Sequence, residues 1–141
     1  MVIDKGNGKV NLGIGIIDSN ITLDLFKKMK AFKKAELNVD NPPWQTFRLK
    51  DIPLTFENES YHVYALLVFK KDRIYSIDLS FLDDVCMDAV IDNEIEKVRK
   101  KFYDRFLTTE LGHQPYKYKW GQVESYFDPK GGSSGIIVTY I

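Results

Sequence analysis

The stretch Tyr61-His62-Val63-Tyr64-Ala65-Leu66-Leu67-Val68-Phe69-Lys70, then Lys71-Asp72-Arg73, then Ile74-Tyr75-Ser76-Ile77-Asp78-Leu79, decides the fold. Its first part is a strand whose alternate faces, Tyr61, Val63, Ala65, Leu67, Phe69 and His62, Tyr64, Leu66, Val68, Lys70, are both largely apolar. That pattern predicts a central strand covered on both sides. The short polar break sends the chain back as a hairpin with Ile77 and Leu79 inward, so an antiparallel meander is expected at the centre of the domain.

On the N-terminal side, Gln45 to Lys50 alternates through Phe47 and Leu49. Pro53 interrupts, and Leu54 to Phe56 continues as a short strand with an open edge. Asn38 to Trp44, which holds Asn41-Pro42-Pro43, reads as a loop, because tandem prolines fix φ and remove donors. A helix is expected from a Thr22 or Asn20 cap to about Glu36, with Leu25, Phe26, Met29 and Phe32 inward and Lys27, Lys28, Lys30, Lys33 and Lys34 outward. Val10 to Ile17 alternates and reads as a first strand.

On the C-terminal side the period turns helical. Asp83 to Val90 reads as a short helix and Asp92 to Leu111 as a long one, striped by Ile91, Ile95, Val98, Phe102 and Phe106 and closed by Gly112. Tyr116, Tyr118 and Trp120 share a strand face, Gly121 marks a bulge, Asp128 to Gly135 forms a hairpin loop, and Ile136 to Ile141 is the last strand. The sum is a single α+β domain over residues 1–141: a mainly antiparallel sheet of about six or seven strands with two or three helices packed on it.

Composition excludes several function classes. The chain has 141 residues, 20 Lys+Arg against 20 Asp+Glu, and 44% apolar residues, which is too apolar for a disordered segment. No apolar run reaches membrane-span length and the first residues lack a secretion-signal layout, so a cytoplasmic location is expected. Zero net charge weighs against nucleic-acid binding by bulk attraction. Cys86 is the single cysteine and its neighbours are Asp83, Asp84 and Asp88, which would raise its pKa, so a thiol nucleophile paired with His62 or His113 is disfavoured. The Gly6 and Gly13 stretches lack the endings of phosphate loops. No cofactor, metal site or catalytic group is therefore assigned, and no enzymatic activity is expected.

Neutrality is a sum of opposed segments. Residues 1–50 carry +4, residues 51–98 carry −7 and residues 99–141 carry +3. Asp78, Asp83, Asp84, Asp88, Asp92, Glu94 and Glu96 follow one another with no Lys or Arg between them, and part of this run is explained by favourable charge at a helix start.

The closing residues Leu111-Gly112, Tyr118-Lys119-Trp120-Gly121, Asp128-Pro129-Lys130-Gly131-Gly132 and Ile136-Ile137-Val138-Thr139-Tyr140 resemble the final hairpin of small uncharacterised bacterial α+β proteins, some similar to toxin-system immunity proteins. The resemblance covers about 30 residues of structural hairpin and carries no functional residue across. It implies a non-enzymatic, immunity-like protein that binds a protein partner. The acidic run makes a basic partner the expectation, with Asp83, Asp84, Asp88 and Asp92 as contacts. The alternative is a small-ligand domain with an aromatic pocket between sheet and helix drawn from Tyr64, Tyr75, Trp120 and Tyr126. A small hydrolase ranks third. The open edge near Pro53 makes a second copy of the chain a further candidate partner.

Overall fold

A computed structural model describes residues 1–82 and 93–141. The expected short helix over 83–90, and Cys86 with it, lies outside them. The N-terminal strands β1 (Val2–Ile3), β2 (Val10–Asn11) and β3 (Ile16–Ile17) form a small antiparallel sheet, followed by helices α1 (Leu23–Lys27) and α2 (Lys30–Lys34). Strands β4 (Glu36–Asn41), β5 (Trp44–Phe56), β6 (Glu59–Lys70) and β7 (Arg73–Leu82) then run as a meander. Helix α3 (Asn93–Leu111) precedes β8 (Lys117–Tyr118), β9 (Gly121–Asp128) and β10 (Ser133–Tyr140). The large sheet has seven strands in the order β4-β5-β6-β7-β10-β9-β8, and every pairing in it is antiparallel. The α+β class and the antiparallel sheet expected from the sequence are found.

The central hairpin forms as its pattern dictates. Lys70 pairs with Arg73 across a two-residue turn in which Lys71 and Asp72 both take positive φ, the geometry that matches strand twist. One face of the sheet is the core: Phe47, Leu49 and Ile52 of β5, Val63, Ala65, Leu67 and Phe69 of β6, Ile77, Leu79 and Phe81 of β7, and Ile136 and Val138 of β10. Two aromatic clusters fill it. Phe26 and Phe32 of the first two helices meet Phe47 and Phe69. Phe102, Tyr103 and Phe106 of α3 meet Phe81, and Phe102 and Phe106 also meet Phe56.

Several local expectations change. The anticipated helix from Thr22 to Glu36 is two short ones: Thr22 caps α1 by accepting from the Leu25 N–H, and Met29 is extended between them. Residues six apart on a continuous helix point about 120° away from each other. The break is what brings Phe26 and Phe32 into one cluster, with ring centroids 5.6 Å apart, while Leu25 turns outward. Val10 to Ile17 is a hairpin, since Asn11 Oδ1 accepts from the Gly13 N–H and Leu12 N–H donates to Gly15 O. Glu36–Asn41 is an exposed edge strand, where the helix was expected to end near Glu36 and a loop to run from Asn38 to Trp44, and only Pro42-Pro43 turns, at positions that need no ladder donor. Gly121 follows a tight turn rather than a bulge, since Tyr118 pairs directly with it. The buried stripe of α3 holds Glu96, Tyr103, Phe106, Leu107 and Leu111, leaving Val98 68% exposed.

Candidate functional site

The second face of the large sheet alternates out of the core pattern. β5 contributes Trp44, Thr46 and Arg48; β6 contributes Tyr64, Leu66, Val68 and Lys70. Ser76, Asp78 and Ser80 of β7 lie opposite, followed by Ile137 and Thr139 of β10 and then Gln122, Glu124 and Tyr126 of β9. The ring contacts of α1, α2 and α3 all lie on the other face. The sequence predicted that both faces of β6 would be covered. Tyr64, Leu66 and Val68 are half-buried, and among the described residues no helix lies on them.

Two groups organise this open face. At one end Trp44 and Tyr75 meet edge to face at 5.3 Å, with Lys70 Nζ 5.1 Å from the Trp44 ring centroid and 5.9 Å from that of Tyr75. Such a cation-on-ring stack presents charge and aromatic surface together. Sequence reading missed it, because the register that puts Trp44 opposite Lys70 depends on an irregularity between Leu49 and Ile52, with Asp51 at φ 58°. A one-residue slip of that kind changes which face every later side chain occupies.

Towards the other side, Tyr126 reaches from β9 across β10 to β7, and its hydroxyl donates to both carboxylate oxygens of Asp78 at 2.9 and 3.0 Å. The crossing requires Gly135 beneath it: a Cβ there would lie 2.8 Å from Leu79 O and 3.0 Å from the Tyr126 hydroxyl. Burial raises the Asp78 pKa, and the Tyr126 hydrogen bond opposes that rise. Burial, then the charge of Asp78, pushes the Tyr126 phenol well above its ordinary range. The pair thus carries a phenol that stays protonated and a carboxylate that stays within one sheet face.

The remaining described acids of the run behave differently. Glu96 is buried on the core side, accepting from the Ser134 hydroxyl and pairing with Arg99 one turn along α3. Next to it, Lys100 pairs with Asp104, and both bond Ser125. Glu94 is exposed and pairs with Lys97. Asp83, Asp84, Asp88 and Asp92 lie outside the described residues.

Of the four aromatics considered for a ligand pocket, Tyr64, Tyr75 and Tyr126 share the open face, whereas Trp120 stands with the small sheet. Trp120 stacks on Tyr118 and donates to Lys5 O, and Gly8 leaves room for its ring, where a Cβ would fall 2.5 Å from the indole. The structure therefore does not bring the four together. Two clefts, of about 260 and 520 Å3, are lined by other residues. Among the described residues, no cluster of His, Cys, Asp and Glu is suited to a metal ion. None of the helices there is long and apolar enough to cross a membrane.

No family model matches the chain, and no curated protein matches it. A solved structure does. A chain of "Rhs1-CT in complex with cognate immunity protein RhsI1" superposes with a TM-score of 0.57 at 14% identity, over 99% of this chain and 86% of that one. At that identity the likeness is one of fold. The resemblance to toxin-system immunity proteins drawn from the closing hairpin thus has a structural counterpart in a complex that contains an immunity protein.

Proposed function

We propose that the chain is a non-enzymatic, immunity-like protein that binds a basic protein partner. The observation that carries this reading is the shared fold, over nearly the whole chain, with a component of a complex between Rhs1-CT and its cognate immunity protein. The open sheet face supports it, because half-exposed aromatic and aliphatic side chains framed by charge are what a protein interface uses. Exposed Glu124 lies beside Ile137 there, and Asp83, Asp84, Asp88 and Asp92 follow β7 in the sequence. An anionic surface of this kind steers a cationic partner and rejects like-charged ones.

The test is co-purification of the full chain with the protein encoded beside it, followed by calorimetry of the purified pair. A stoichiometric complex that weakens at least about tenfold when Asp83, Asp84 and Asp88 are changed together to Lys is the expected result. Absence of a complex, or one indifferent to those reversals and to added salt, would overturn the acidic-surface reading.

A further inference from the structure

A cleft of about 520 Å3 opens at one end of the large sheet, between the start of α1, the Pro42-Pro43 turn and the Lys71-Asp72 turn. Backbone hydrogen bonds fix its frame. Leu23 N–H donates to Asp72 O at 2.8 Å, Ile74 N–H to Ile21 O at 3.0 Å, and Lys71 N–H to Pro43 O at 2.9 Å. Leu23, Phe69 and the two prolines give it apolar lining, and the volume falls within the range of ligand sites. Gln45, also in the lining, donates to Asp40 through Nε2, while its buried Oε1 has no hydrogen-bond partner among the described residues.

Lys27, Lys71 and Asp72 are the charged residues that line the cleft. The five lysines of residues 27–34, together with Lys71 and Arg73, stand against Asp24 and Asp72 in the same segments. All seven basic side chains are exposed, and none belongs to an ion pair among the described residues. This contrasts with Lys97, Arg99, Lys100 and Arg105 on α3, each of which has an acidic partner.

We propose that the cleft, with Lys27 and Lys71 in its lining and further exposed lysines following Lys27 along the chain, docks an acidic peptide segment of a protein partner, one large apolar side chain of which seats against the exposed Pro42 and Pro43. The cations supply attraction over a distance, and the apolar seat fixes register. A peptide fits this surface better than a nucleic acid does. Phe69 is 1% exposed, so its ring offers no face for a stacked base, and the remaining apolar lining is aliphatic or prolyl. A peptide N–H entering beside Gln45 would also give Oε1 its missing donor. The site is distinct from the open sheet face and opposite in sign to the acidic run, so it stands independently of the immunity-like reading.

The experiment is fluorescence anisotropy with the full chain and a labelled peptide of roughly ten residues, aspartates and glutamates around one central leucine, at low ionic strength. Saturable binding is expected, weakened about tenfold or more by Lys27→Glu with Lys71→Glu, and similarly by alanine in place of the peptide leucine. Amide NMR shifts on titration should centre on Leu23, Gln45, Phe69 and Lys71. Circular dichroism and the urea midpoint of the double variant check that it folds, and the alanine peptide tests the apolar seat without altering the protein. Four results would overturn the proposal: no saturation up to about 1 mM peptide; equal binding of the leucine and alanine peptides; preferential binding of polyuridylate; or self-association through the same lysines without peptide binding.

Discussion

The acidic middle of the chain and the lysine-rich segment before it look like mirror images in sequence, yet the fold treats them differently. Of the described acids in the run, Glu96 is buried against Ser134 and Arg99, Asp78 is held by Tyr126 on the sheet, and Glu94 pairs with Lys97. The lysines of residues 27–34 all face water, without an acidic partner among the described residues. A count of charges along a chain therefore says little about which are available to another molecule. Acids placed on a packed helix or a central strand become part of the fold, whereas lysines on short helices that bury only Leu23, Phe26 and Ala31 remain outside it.

Removing Glu96 should give the largest contrast. Glu96→Ala takes the carboxylate away from Ser134 and Arg99 in a site where Glu96 is 8% exposed, and a loss of about 3 kcal/mol is expected in urea denaturation. Glu96→Gln keeps an acceptor for Ser134 and should lose less, about 1.5 kcal/mol. A Glu96→Ala loss below about 0.5 kcal/mol, the level of an ordinary surface change, would erase the distinction between the two segments.

How much of this was legible varies element by element. The hairpin of β6 and β7 was readable because its alternation and its turn agree, and both act locally. The end of α3 at Gly112, where φ is +85° and its N–H donates to Thr108 O, was readable for the same reason. The buried face of α3 was not. Periodicity favoured Ile95 and Val98, but the fold buries Glu96 and Tyr103, whose polar atoms find Ser134 and the Phe81 N–H on distant strands. Such partners carry no trace in a local pattern. The Asp78 and Tyr126 pair was likewise hidden, since it spans three strands and depends on a glycine at 135 that reads in sequence as loop chemistry.

That pair yields the next two tests. Gly135→Ala places a methyl against Leu79 O, a backbone atom that cannot turn aside, and a loss of about 2 kcal/mol is expected. Asp78→Asn probes charge alone. The Asp78 pKa is raised in the folded chain, so between the unfolded value and the folded one the native state holds more protons than the unfolded state. Asp78 therefore favours folding least above its folded pKa, and its unfavourable contribution fades as pH falls below the unfolded pKa. Asp78→Asn should gain on the parent in urea midpoint as pH rises from 3 towards 7. A gain that instead grows towards acid would mean that Tyr126 stabilises the carboxylate more than burial opposes it.

The smallest effects belong to the lysines, and their sign is informative. Lys30 lies three residues from Lys33 and four from Lys34 on α2, so like charges face one another with no acid between. Pairs of this kind cost a helix about 0.2–0.5 kcal/mol at low salt. Lys30→Gln and Lys34→Gln should each stabilise the chain by about that much at low ionic strength, with the gain vanishing near 1 M salt, where screening shortens to about 3 Å. A loss of stability in either variant would show that these lysines have acidic partners of their own, and the two segments would then differ in degree only. A gain that disappears with salt would mark the patch as charge held apart from the fold and left available for a partner.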